Sequence, residues 1–223
     1  MDQIFDLNAI LPPLESEEEK TMVQNLDQVS QKIVQIYAAG HELPEEYAHH
    51  VLQLTDQVVE SLRAGMVLGH IFLMIHEFSA MNDLYTKLIK EHGETEYLLF
   101  YHAIALEQLN ELDKASQLYK KVLASGVKNF FVYMQCAKCY RKIGLYTEST
   151  ATANLAVYEN EENSIEPFVL MAQNFYDQSE HNRMYECFSR IEKIAGREAL
   201  AELGQLYEEH ADLYKNLKKM MKI

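Results

Sequence analysis

Glycine and proline are scarce, 8 and 4 in 223 residues, where average usage would give about 27 together. Sandwiches and barrels turn on such residues, so a many-turned all-β fold is excluded. Cysteine is scarcer still: Cys136, Cys139 and Cys187. An odd, low count points to reduced thiols in a cytoplasm and not to a disulfide scaffold. No apolar run approaches the roughly 18 residues that span a bilayer. The opening stretch MDQIFDLNAILPPLESEEEK is acidic and has no basic lead-in, so no secretory signal is expected. Bases are also few, 20 Lys and Arg against 34 Asp and Glu, for a net charge of −14. Residues 1–60 hold 12 of the acids and only two bases, Lys20 and Lys32. That end repels phosphate backbones, which argues against a nucleic-acid partner. GxGxxG, Walker and GxSxG loops are missing, so no phosphate cradle or nucleophile elbow is expected.

What is present is an apolar fraction of 48%, enough for a sizeable core. Residues 1–15, with Pro12-Pro13, read as an extended or disordered tail, because the residue before a proline avoids helix. Ser16 and Glu19 have the spacing of a capping box, in which the serine hydroxyl and the Glu19 carboxylate satisfy each other's backbone N–H. Met22, Leu26, Val29, Ile33 and Ile36 then form a stripe at helical spacing, and Gly40 ends it. Pro44 opens a second stripe of Tyr47, Val51, Leu54, Val58 and Leu62. Residues 16–63 thus read as an acidic helical hairpin. It either caps the remainder of the chain or provides a surface for a homodimer.

From Leu62 onward the sequence repeats. Segments starting at Leu62, Glu96 and Phe130 lie 34 residues apart, and a fourth starts one residue late at Ile165. Position 8 is small in all four: Gly69, Ala103, Ala137 and Ala172. Position 11 is large: Phe72, Leu106, Tyr140 and Phe175. Positions 24 and 27 carry Tyr85 with Leu88, Tyr119 with Val122, Ala153 with Ala156, and Phe188 with Ile191. Position 15, His76, Asn110, Gly144 and Ser179, suits a turn. Each unit is then two antiparallel helices that cross closely at position 8. One unit cannot bury its own apolar face, so units stack. Residues 197–223 read as a closing helix with Leu200, Leu203, Leu206, Tyr207, Tyr214 and Leu217 on one side. The lysines between Lys215 and Lys222 suit its C-terminal dipole.

This pattern resembles the tetratricopeptide repeat (TPR). Leu68-Gly69 with Phe72 and Phe78 matches its leucine-glycine-aromatic core, and Asn110-Glu111-Leu112-Asp113-Lys114-Ala115 its inter-helix turn. The match covers residues 62–196 as three to four repeats, without the usual closing proline. The fold implied is all-α: a right-handed superhelix of stacked helical hairpins, with an N-terminal helical hairpin and a C-terminal capping helix. The resemblance also implies that positions 2, 5, 9 and 12 of each first helix line a concave groove. These are Arg63, Met66, His70 and Leu73; Tyr97, Phe100, Ile104 and Glu107; Phe131, Met134, Lys138 and Arg141; and Glu166, Val169, Gln173 and Tyr176. Met66, Leu73, Phe100, Ile104, Phe131 and Met134 would give that groove an apolar floor open to solvent, with Lys138 and Arg141 as a basic rim.

The competing chemistries are weaker. Cys136-Ala137-Lys138-Cys139 falls within a repeat helix and has no second pair to complete a zinc site. The nine histidines include no His-Glu-x-x-His. No metal or cofactor is expected, and no enzymatic activity. The groove implies a cytoplasmic chaperone or adaptor that holds an extended or unfolded segment of another protein. The acidic charge and N-terminal helices are similar to class II type III secretion chaperones. A structural or regulatory subunit of a larger assembly is the alternative, and a thiol- or metal-dependent enzyme the second. An N-terminal or C-terminal segment of the same chain is a further candidate occupant of the groove.

Overall fold

The computed structural model describes residue 14, residues 16–160 and residues 163–221. All described secondary structure is helical. The chain falls into two compact units, divided between Val127 and Lys128. The expected tail of residues 1–15 lies outside the described residues apart from residue 14.

The first unit opens with α1, Glu17–Ala38. Ser16 Oγ accepts from the Glu19 N–H at 3.0 Å, and Glu17, Glu18 and Glu19 occupy the positive end of the helix. Leu26 and Ile33 are buried, joined by Val23, while Met22, Val29 and Ile36 are half-buried. Gly40, at φ +75°, sits where the chain leaves the helix, and the His41 N–H bonds back to the Ile36 carbonyl at 3.1 Å.

The second arm departs from the expected continuous helix. It is two pieces, α2, Glu45–Leu52, and α3, Thr55–Val58. The Thr55 hydroxyl donates to the Leu52 carbonyl at 3.0 Å, satisfying an acceptor that the break releases. Val51 and Val58 still reach the core. The long helix α1 also finds its main packing partner elsewhere, on α4, Leu62–Met74. Lys32 Nζ over the Tyr47 ring, at 4.7 Å, links α1 to α2. The Glu19 carboxylate accepts from Ser61 Oγ at 2.6 Å, and Ser61 in turn caps α4. The start of α1 is therefore fastened to the start of α4.

Helices α4, α5 (Phe78–His92), α6 (Glu96–Gln108) and α7 (Leu112–Ala124) come next, with α4 packed on α5, α5 on α6 and α6 on α7. In the second unit the same order recurs in α8 (Phe130–Lys142), α9 (Tyr146–Tyr158), α10 (Glu166–Asp177) and α11 (His181–Ala195). The closing segment is not one helix. A 3₁₀ stretch, Arg197–Leu203, buries Leu200 and Leu203, whose spacing of three residues matches the 3₁₀ period. Gly204, at φ +50°, then separates it from α12, Gln205–Met221.

The four hairpins share one turn. His76, Asn110, Gly144 and Ser179 all have φ between 59° and 78°. In each, the next residue's N–H returns to the carbonyl of position 11: Glu77 to Phe72, Glu111 to Leu106, Leu145 to Tyr140 and Glu180 to Phe175, all at 2.8–2.9 Å. The fourth hairpin is as regular as the others, because its extra residue falls in the connection before α10.

Two glycines of α4 leave room for side chains of α5. A Cβ on Gly69 would lie 2.3 Å from Tyr85 Oη, and one on Gly65 would lie 2.5 Å from the Leu88 side chain. Tyr85 is fully buried, stacks on Tyr101 at 6.0 Å, and its hydroxyl has no hydrogen-bond partner among the described residues. Urea melts should register both features. Gly69→Ala overpacks the contact and costs about 1–3 kcal/mol. Tyr85→Phe removes a buried, unsatisfied hydroxyl and leaves stability unchanged or raised by up to about 1 kcal/mol. A destabilised Tyr85→Phe variant would show that the hydroxyl is held by a bond.

Candidate functional site

The residues assigned to the groove fall into both units, and most are not where an open apolar channel needs them. In the first unit Met66 and Phe100 are 0% exposed, Ile104 6% and Tyr97 7%. In the second, Met134 is 2% exposed. The expected solvent-facing floor is therefore corrected: Met66, Phe100, Ile104 and Met134 are core. Leu73 is half-buried, and Phe131 alone of the six is open, at 44%. Periodicity treats each first helix as having one free side. It cannot register what else lies against that side.

Helix α6 shows the difference. Its buried residues, Tyr97 to Tyr101 and Ala103 to Leu106, point to nearly every direction around the axis. Phe100 meets Tyr119 of α7, ring centroids 5.9 Å apart, and Tyr101 meets Tyr85 of α5. Between those two directions the helix presents Tyr97 and Ile104. Glu107, one turn beyond Ile104, accepts from Tyr119 Oη at 2.9 Å.

His70 joins α4 to this face. Its Nδ1–H donates to the Met66 carbonyl at 2.8 Å, and the Tyr101 hydroxyl donates to Nε2 at 3.0 Å. Both bonds suit the neutral ring. Burial lowers its pKa, and the Met66 carbonyl works weakly the other way. Burial likewise lowers His102, opposed by the Glu111 charge, and its Nε2–H donates to Asn82 Oδ1 at 2.9 Å. Arg63 is half-buried in the first turn of α4.

In the second unit the expected basic rim is already neutralised. Lys138 pairs with Glu166, one of the assigned groove residues. Arg141 pairs with Asp177 at 2.6 Å and donates to Asn174 Oδ1 at 2.9 Å. Asn174 is fully buried. Its amide donates to Ser149 Oγ at 2.8 Å and Thr150 Oγ1 at 3.1 Å, and Ser149 donates to the Ala137 carbonyl at 2.7 Å. This satisfied network ties α8, α9 and α10 together, and the repeat pattern did not reveal it. A polar Asn174 amid the apolar face of α10 is visible in the sequence, but its partners are 24 to 33 residues away. Val169 and Gln173 are half-buried, and Tyr176 donates to Glu209 of α12 at 2.9 Å.

The remaining chemistry is quiet. All three cysteines are buried as free thiols, and burial pushes Cys187 up to about 12. Among the described residues no cluster of three His, Cys, Asp or Glu side chains is placed to hold a metal. None of the described helices is long and apolar enough to cross a membrane.

No family model matches the chain, and no curated protein matches it. Solved structures do match. YrrB, described as a TPR protein with an unusual peptide-binding site, aligns with a TM-score of 0.61 at 12% identity, over 86% of this chain and 90% of its own. A MamA crystal structure aligns at 0.61 with 9% identity, over 86% of this chain and 94% of its own. The MamA RS-1 double mutant aligns at 0.62 with 12% identity, over 78% and 94%. At such identities the likeness is one of fold: the chain is an all-α, TPR-like stack of helical hairpins.

Burial fixes the sign of the pH effect at His70. Its folded pKa lies below the ordinary value near 6.5, so the unfolded chain binds the proton more readily. Its contribution is complete above that ordinary value and is lost as pH falls through it toward the folded pKa. Thermal melts between about pH 7.5 and pH 5 should show a fall in Tm that is smaller in His70→Gln. Identical slopes in the two proteins would mean that His70 is not buried neutral.

Proposed function

We propose that the chain is a non-enzymatic, cytoplasmic protein-interaction adaptor that takes an extended segment of a partner along the first-helix face of its hairpins. The observation that carries this reading is Phe131 on α8, an apolar side chain at a first-helix groove position that is 44% exposed. Apolar contacts on such a face favour a polypeptide with spaced apolar side chains. YrrB, with the same fold, is described as having a peptide-binding site, which supports the reading by analogy of architecture.

The narrower reading, a holding chaperone of the class II type III secretion kind, needs a long open apolar channel. Burial of Met66, Phe100 and Met134 removes most of that surface, so we favour an adaptor over an escort. A homodimer through the N-terminal helices is disfavoured on similar grounds, since the apolar stripe of α1 is spent on α4. For a subunit of a larger assembly, the exposed apolar side chains come as small pairs on single helices, Val34 with Tyr37 on α1 and Leu155 with Tyr158 on α9.

Phe131 offers a clean test, because it is exposed and its replacement leaves the core intact. Phe131→Asp should keep the wild-type melting curve within about 0.5 kcal/mol. It should weaken capture of the partner that co-purifies with the wild-type chain by about tenfold or more. Undiminished capture, with the captured segment mapped by cross-linking away from the first helices of the hairpins, would overturn the groove as the binding site.

A further inference from the structure

The second helices of the hairpins meet one another in a fixed register. In the first unit Asn82 and Thr86 of α5, at positions 21 and 25 of their repeat, line a groove with Lys114 and Gln117 of α7. In the second unit Thr147, Thr150, Ala151 and Asn154 of α9 hold positions 18, 21, 22 and 25. They line a groove over Phe168, Met171 and Phe175 of α10, and α11 forms its far wall with Arg183, Glu186 and Arg190. On α11 the same four positions are Asn182, Tyr185, Glu186 and Ser189. They line a cavity of about 620 Å³ with Tyr214 and Leu217 of α12, and no other described helix walls it. We propose that this face of α11 and α12 is a second docking site, which takes an acidic amphipathic helix of a partner protein in the place of a next second helix.

Shape selects a helix. Asn182, Glu186, Ser189 and Lys193 follow one another at helical spacing along α11, over about 17 Å or three turns. Asn182 and Ser189 are small enough for a backbone to approach, as Thr147, Ala151 and Asn154 are on α9. The floor selects an apolar stripe on that helix. Tyr185 and Tyr214 stack with ring centroids 6.1 Å apart, and Leu217 beside them is half-buried. Charge selects an acidic polar face. On a chain of net charge −14, this cavity carries Arg190, Lys193 and Lys218 against the single acid Glu186. Lys218 is committed to Glu192 at 2.6 Å. Arg190 and Lys193 are exposed and make no ion pair with any described residue. A docked helix running in the direction of α11 brings the negative end of its dipole to them, and acidic side chains in its last turns complete the match. A second copy does not meet these requirements. Its own α11–α12 face is basic and repels this one, and its acidic helix α1 has its apolar stripe on α4.

This site shares no residue with the first-helix face. Phe131 belongs to α8, a first helix, whereas the cavity is built on the second helix α11 and on α12. One chain then holds an extended segment on one face and a helix on another, so it joins two partners.

The probe is a synthetic helical peptide of the length of α9, with leucines at i, i+3, i+4 and i+7 and glutamates in its last two turns. A control peptide carries lysines in place of the glutamates. The full-length chain should bind the glutamate peptide saturably and about tenfold or more tightly than the control. Amide shift changes in nuclear magnetic resonance spectra should concentrate in α11 and α12. The double variant Arg190→Glu, Lys193→Glu changes only exposed side chains. It should melt as wild type does and bind the glutamate peptide about tenfold or more weakly. Phe131→Asp should bind the peptide as wild type does. The proposal is overturned by no binding, by equal binding of the two peptides, by undiminished binding to the double variant, or by shift changes confined to other helices. Loss of peptide binding in Phe131→Asp would move the site to the first-helix face and overturn it as well. A dimer of the free chain that the double variant dissociates, read by light scattering, would assign the face to a second copy.

Discussion

In the first hairpin the paired helices approach so closely that one added methyl group would not fit. At Gly69 the missing Cβ is the space occupied by the Tyr85 hydroxyl, and at Gly65 it is the space occupied by Leu88. Close packing of this kind gains dispersion energy across a whole helix face, but only if the small residue recurs wherever a hairpin closes. Ala103, Ala137 and Ala172 hold the equivalent place and are all fully buried. The left-handed turn residues complete the constraint. They let the chain reverse while the N–H after the turn satisfies the carbonyl of the large residue at position 11. Spacing, close approach and reversal together make each hairpin, and such hairpins recur in both units.

The units stabilise their apolar stacking in different ways. The first relies on aromatic rings: Tyr85, Phe100, Tyr101 and Tyr119 are all buried and form a chain of ring contacts. The second has alanine at positions 24 and 27 of its first hairpin, Ala153 and Ala156, and adds the network of Ser149, Asn174 and Arg141. Both the amide nitrogen and the oxygen of the Asn174 side chain have partners, so the network specifies a register for α8, α9 and α10 rather than weakening the core. The unit closes on a second aromatic cluster, in which Phe188 and Tyr185 of α11 meet Tyr214 of α12. Glu192 fastens it by accepting from Tyr214 at 2.8 Å and pairing with Lys218 at 2.6 Å, and the Lys218 bond holds its carboxyl below the usual range. One of the terminal lysines thus has a specific partner in addition to the favourable helix dipole.

Charge that looked available for a ligand is in several cases committed internally. Lys138 and Arg141, the bases at the third repeat's groove positions, face Glu166 and Asp177 in the fourth. Ion pairs across adjacent first helices are a way to align neighbouring hairpins without apolar area. They also leave the face less basic than its residue types suggest. His70 behaves similarly: it is a buried link between α4 and α6, bonded at both ring nitrogens, and not a free ligand for a metal or an anion.

Much of the architecture was legible along the chain. The 34-residue interval, the small residue at position 8 and the turn at position 15 are properties of each hairpin alone, and local geometry dictates them. The four turn residues take left-handed backbone because that conformation reverses the chain there. The breaks at Gln53-Leu54 and Gly204, the packing of α1 on α4, and the burial of Met66, Phe100 and Met134 were not legible. Those depend on which surfaces meet after folding. A periodic pattern reports that a side chain sits on a given face of its helix. Whether that face sees water is decided by segments distant in sequence, because burial belongs to the assembled packing and not to the helix that carries the residue.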